Sequence, residues 1–202
     1  MQKKNIYILV ILGIVTAIFL VFIVFKPSNG ITPNQTASIS GSQILSAVIG
    51  QKAPGFSLQD IDGKTVSLSG YLGKKNVVLF FTEGAMCYPA CWDQMSAFAQ
   101  DSRFNSSTTQ AISVVVDTPQ EWQQIESQTP EMKGADILFD TARAVSREYG
   151  VLNLPSSMHP GSFPGHTYFI VDKTGVIRYA LDDPMMGIRN DAIWNAMQNL
   201  NL

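Results

Sequence analysis

The chain carries only two cysteines and two histidines, and both cysteines fall in one short segment, Thr82-Glu83-Gly84-Ala85-Met86-Cys87-Tyr88-Pro89-Ala90-Cys91-Trp92. Two thiols so close can form a disulfide, exchange it with another protein, or converge on one soft metal ion. A continuous apolar run at 77–81 precedes them, and Trp92, Met95, Phe98 and Ala99 follow at helical spacing. The pair therefore sits where a buried strand hands over to an amphipathic helix. Pro89 suits the first helical turn, where a missing N–H costs nothing. Cys87 then lies at or just before the helix N-terminus, whose dipole and free N–H groups favour a thiolate. Cys91 is one turn further in, on the same face. A staple this short closes too small a loop to stabilise much. The end of a strand is instead the usual chemistry edge of an α/β sheet, so the pair reads as functional.

Both histidines, His159 and His166, occur in the segment 156–166. His159 reads as a hydrogen-bonded surface residue. Glu83, just before the cysteines, reads equally as a proton acceptor and as a solvated loop carboxylate. Met86, Met158, Met185 and Met186 are soft donors in type, although methionine is more often core filler.

The elements that must position these residues alternate. Residues 56–58 and 65–68 flank Asp62-Gly63 as a hairpin. The strand at 77–81 and its helix are followed by a buried strand at 112–116, and Thr118-Pro119 opens a helix with Trp122 and Ile125 facing inward. A short strand at 137–139 leads to a helix capped by Thr141 and carrying Ala142, Val145 and Tyr149. A second hairpin joins 167–171 to 176–179 through Asp172-Lys173-Thr174-Gly175. A last helix starts at Asn190 or Asp191, with Ile193, Met197 and Leu200 on one face. This order predicts an α/β fold with a mixed central sheet and helices on both faces. Trp92, Trp122 and Trp194 are expected in the core.

Ahead of this domain, residues 5–25 hold no charged side chain, and an apolar run of about 20 residues spans a bilayer as a helix. It is longer than the apolar region of a cleaved signal peptide and ends at Lys26-Pro27 without a small-x-small site. A single retained transmembrane anchor is expected. Lys3 and Lys4 bias residues 1–4 toward the cytoplasm, placing the rest at the cell membrane's extracytoplasmic side. Residues 26–48, rich in Ser, Asn, Gly, Thr and Pro, read as a flexible linker, and the redox domain as 49–202. The net charge of −2 supplies no basic stripe for nucleic acid.

The segment from residue 49 onward resembles the thioredoxin-like superfamily, and most closely the redoxin branch of alkyl hydroperoxide reductases and thiol-specific antioxidants. Gly50-Gln51-Lys52-Ala53-Pro54-Gly55-Phe56-Ser57-Leu58, Asp62-Gly63-Lys64 and the strand at 77–81 carry the resemblance. So do Asp140, Tyr149-Gly150-Val151 and the segment from Gly165 through His166 to Arg178. The resemblance implies a thioredoxin-like fold and a thiol–disulfide oxidoreductase that needs no cofactor. Cys87 would be its nucleophile and Cys91 its resolving thiol, with a protein thiol or disulfide as partner. By the same resemblance, His166 falls where these proteins carry the cis-proline that faces the active-site cysteines. It is expected beside Cys87, to stabilise the thiolate, pass protons, or complete a metal site. The peroxiredoxin loop reads Pro-x-x-x-Thr-x-x-Cys; the Pro and Thr places hold Phe80 and Gly84 counted from Cys87, or Gly84 and Tyr88 counted from Cys91. The family's arginine ahead of the late strand is replaced by His166. A Cys-x-x-x-Cys with a distal histidine also resembles the Sco copper chaperones, so alternatives are a copper carrier using Cys87, Cys91 and His166, and a weak thiol peroxidase.

Overall fold

The computed structural model describes residues 41–202. The expected anchor at 5–25 and most of the linker lie outside them. Among the described residues no helix is long and apolar enough to cross a membrane. The linker expected to reach residue 48 meets a helix earlier: α1, Gly41–Val48, buries Leu45 against the domain. A single apolar stripe was enough to fold the last residues of a segment whose overall composition is polar.

Seven strands among the described residues form one sheet in the order β2-β1-β5-β4-β3-β6-β7. They are β1 Ser57–Gln59, β2 Thr65–Ser67, β3 Asn76–Phe81, β4 Thr109–Val115, β5 Ile137–Phe139, β6 Thr167–Val171 and β7 Ile177–Asp182. The centre, β3–β4–β5, is parallel, and the two hairpins add antiparallel strands at either side. The sheet is thus mixed, as the alternation predicted.

Strand periodicity divides the core between the two faces. Val78 and Phe80 of β3 face α2 (Ala90–Gln100), α3 (Pro119–Gln128) and α5 (Asn190–Asn199), in a cluster that includes both cysteines, Met95, Trp122 and Ile193. Val77, Leu79 and Phe81 face the opposite layer, with Leu45 of α1 and Val145 of α4, Ala144–Glu148. Every residue of β3, β4 and β6 is buried, which is why these strands read as unbroken apolar runs.

Two expectations change in detail. α3 opens at Thr118-Pro119 as predicted, and Thr118 caps it through a full capping box with Glu121. Thr141, however, does not cap α4: the Asp140 carboxylate accepts the Val145 and Ser146 N–H groups at 3.2 and 2.7 Å, and Arg143 takes a left-handed conformation to open the helix. A carboxylate at the strand end reaches the free N–H groups that a hydroxyl one residue on would miss. Leu200 is also more exposed than its place in the apolar stripe of α5 implied.

Candidate active site

Cys87 and Cys91 are joined in a disulfide, with their Cα atoms 5.4 Å apart. The strand β3 ends at Phe81, a single 3-10 turn, Gly84–Met86, follows, and α2 begins at Ala90. The Cys91 N–H donates to the Cys87 carbonyl at 2.9 Å, so the two cysteines bracket one turn at the helix start. Both are buried, Cys87 at 4% and Cys91 at 1% exposure, so Cys87 is only marginally the more accessible.

The turn is held from the segment between β4 and α3. The Asp117 carboxylate accepts the Ala85 N–H and the Trp122 indole N–H, each at 2.8 Å. Burial pushes the Asp117 carboxyl above its ordinary range. Gly84 makes this approach possible. Its φ is +69°, and a Cβ there would stand 1.9 Å from the Asp117 carboxylate, so no side chain fits.

Glu83 is fully buried rather than solvated. It accepts the Met158 N–H at 2.5 Å, the His159 N–H at 3.1 Å and the His159 ring Nδ1 at 3.0 Å. The His159 side chain remains 47% exposed. This pair ties loop 156–165 to the strand end beside the cysteines, and a buried carboxylate needs such a donor set.

His166 is brought to the disulfide, but against Cys91 rather than Cys87. Its Nδ1 lies 3.8 Å from the Cys91 Sγ. Thr167 pairs with Phe81 across the sheet, so His166 lies just beyond the end of β3, beneath the helix residue rather than the turn residue. It is completely buried, edge-on to Phe80 at 4.6 Å, and its Nε2 lies 2.7 Å from the Tyr168 hydroxyl. Burial pushes its pKa down to about 4, against the opposing pull of Asp183. The imidazole is neutral at neutral pH.

The alternative copper set is the same three residues, with its two sulfurs bonded to one another. In this oxidised state no group of three His, Cys, Asp or Glu side chains is poised to hold a metal ion among the described residues. Of the methionines, Met86, Met158 and Met185 are exposed, and Met186 rests against the core.

Sequence reasoning missed Asp117, Tyr168 and Gln94. Gln94 carried a signal: it shares the buried stripe of α2 with Cys91, Met95 and Phe98, and a polar residue within such a stripe needs buried partners. Tyr168 lay hidden in an apolar strand, and Asp117 in a strand-end turn.

A thioredoxin-like sheet with a disulfide at the start of a covering helix and a buried histidine beneath it is the arrangement of a thiol-based oxidoreductase. The AhpC/TSA family profile matches residues 49–180, and the chain belongs to the AhpC/TSA family. It is 27% identical over 155 residues to a chloroplastic peroxiredoxin Q of Populus jackii, covering 76% of this chain and 69% of that protein. It is 30% identical over 131 residues to the chloroplastic peroxiredoxin Q of Oryza sativa subsp. japonica, covering 64% of this chain and 57% of that one. The chain thus spans between somewhat over half and about two thirds of these curated relatives. Among solved structures, AhpC of Mycobacterium tuberculosis superposes with a TM-score of 0.65 at 22% identity, covering 76% of this chain and 92% of that one. The reduced 2-Cys peroxiredoxin of Plasmodium vivax gives 0.64 at 19%, covering 76% and 82%. These two share the fold.

Proposed function

We propose that this protein is a membrane-anchored thiol–disulfide oxidoreductase whose redox domain works on the extracytoplasmic side, with a protein thiol or disulfide as partner. The observation that carries the reading is the Cys87–Cys91 disulfide at the sheet edge, with His166 beneath Cys91. In the reducing direction, the Cys87 thiolate attacks a partner disulfide. A Cys87–partner S–S bond forms, and the partner's second sulfur leaves as a thiolate. Cys91 loses its proton and attacks the Cys87 sulfur, closing the Cys87–Cys91 bond and releasing the partner's remaining thiolate. Two electrons pass to the partner; the oxidising direction is the reverse. His166 serves this exchange as a proton-transfer group.

A protein partner suits the surroundings. Among the described residues, the exposed large apolar side chains include Met86, Tyr88, Met158, Met185 and Ile188, all on the three loops that meet at the disulfide edge of the sheet. A partner must bring its sulfur to atoms that are nearly covered, and such a collar gives it apolar surface to bury. The anchor rests on residues 5–25 and on Lys3 and Lys4.

Peroxide is the second reading, favoured by the peroxiredoxin relatives and opposed by the missing Pro and Thr of the peroxidatic loop. The deciding experiment treats reduced full-length protein with a thioredoxin-like disulfide protein and, separately, with hydrogen peroxide. Thiol loss and bound metal are followed together. The proposal expects stoichiometric exchange with the protein disulfide, several orders of magnitude faster than oxidation by peroxide. Fast sulfenate formation at Cys87 would favour a peroxidase. Tight one-to-one Cu(I) without exchange would favour a carrier. Recovery of the chain in carbonate-washed membranes is expected, and a free, shortened mature protein would overturn the anchor.

A further inference from the structure

The hydrogen bonds that link Asn190, Gln94, Tyr168 and His166 beneath the disulfide have only one consistent set of directions. Asn190 Nδ2 donates to the Ala97 carbonyl at 2.9 Å and to the Asp101 carboxylate at 3.0 Å. Its Oδ1 is therefore the atom that faces Gln94, and accepts from Gln94 Nε2 at 2.9 Å. The Gln94 Oε1 accepts the Arg189 backbone N–H at 2.6 Å, a donor that cannot reverse. These contacts fix the Gln94 amide at both ends. The Tyr168 hydroxyl lies 2.9 Å from the same Oε1, and between two oxygens only the tyrosine can supply the hydrogen. Tyr168 has one proton and spends it there. Its 2.7 Å contact with His166 Nε2 then requires the hydrogen to sit on the histidine. A neutral imidazole protonated at Nε2 has a bare lone pair at Nδ1, the atom facing Cys91 Sγ at 3.8 Å.

We infer that Gln94, acting through Tyr168, locks His166 in the Nε2–H tautomer so that its Nδ1 receives the proton of Cys91 when that thiol resolves a mixed disulfide. This deepens the oxidoreductase reading and rests on it. As the proton passes from Cys91 Sγ to Nδ1, the sulfur attacks Cys87 Sγ. The Cys87–partner bond breaks, and the partner sulfur leaves with the electron pair. The imidazolium returns to neutral by giving its proton to that departing thiolate. Gln94 and Tyr168 are positioning residues here, since neither touches a sulfur.

The surroundings suit a base that is neutral at rest and charged only briefly. From the loop after β7, Asp183 favours the protonated ring and Arg189 opposes it, and the two are paired with each other at 2.6 Å. The Gly187 backbone adds to the favourable side. Phe80 of β3 supplies a dry wall, and Cys91 of α2 completes the ring's neighbours.

Two readouts on the full-length protein test this. In reduced protein labelled with ¹⁵N-histidine, the ring nitrogen shifts report the tautomer, with His159→Gln assigning the two rings. An aromatic disulfide whose thiolate is coloured reports the steps: a first release when Cys87 attacks, a second when Cys91 resolves. The expected wild-type result is an Nε2–H ring at His166 and two releases. Gln94→Leu frees the Tyr168 proton to turn toward Nε2. It should move the ring to Nδ1–H and slow the second release by about a hundredfold, the low end of what positioned proton transfer supplies, with the first release unchanged. Tyr168→Phe removes only a hydroxyl and should act in the same direction, so the test survives if Gln94→Leu does not fold. An Nδ1–H ring in the wild type, or two releases and an unmoved tautomer in both variants, would overturn the inference alone. Absence of any release from the wild type would overturn the oxidoreductase reading and the inference with it.

Discussion

His159 and His166 lie seven residues apart on one loop, yet they meet opposite conditions. His159 keeps nearly half its side chain in solvent and sets its ring against a buried carboxylate, Glu83. His166 is wholly buried, makes no hydrogen bond to a carboxylate, and links the Tyr168 hydroxyl to Cys91. The first arrangement holds a loop. The second holds a proton position. Burial keeps His166 uncharged, and its bonded neighbours fix which nitrogen bears the hydrogen.

Substitutions separate the two roles. The largest effect belongs to the sulfurs: Cys87→Ser should reduce disulfide exchange to background, and Cys91→Ser should trap mixed disulfides through Cys87, as non-reducing mass spectrometry would show. Labelling that traps through Cys91 instead would reverse the roles. Next is the loop clamp. Glu83→Leu strands the Met158 and His159 donors beside an apolar side chain, and should cost about 3–5 kcal/mol in denaturant unfolding. A cost under about 1 kcal/mol would mean that Glu83 is not the clamp.

The pH dependence of stability follows for His166. Its folded pKa of about 4 lies below the ordinary 6.5, so the unfolded chain takes up the proton first. The stability associated with a neutral His166 is complete above about pH 6.5 and is lost as pH falls toward about 4, by about 3 kcal/mol in all. His166→Asn should remove that part of the acid slope, and an unchanged slope would place the ring in a wetter setting. The smallest effect is expected at His159: His159→Gln should change stability by less than about 1 kcal/mol, because a half-exposed ring contributes little even to a buried partner.

The order of strands along the chain, both hairpins and the helix start at Thr118-Pro119 were legible in the residues alone. So was the placement of Cys87 and Cys91 at a strand–helix junction, because periodicity, turn chemistry and capping are local properties of a chain. The family resemblance placed His166 near the cysteines. Only the tertiary structure decided that His166 faces Cys91, since one residue of register across β3 and β6 selects which sulfur it meets. Only the structure turned Glu83 from a loop carboxylate into a buried clamp and gave the cap of α4 to Asp140. Gln94 and Tyr168 had no adjacent partners in sequence, and the direction of their hydrogen bonds is fixed by Asn190 and Arg189, more than 90 residues away from Gln94. Local pattern specifies which elements form; the contacts between distant elements specify which atom carries a proton.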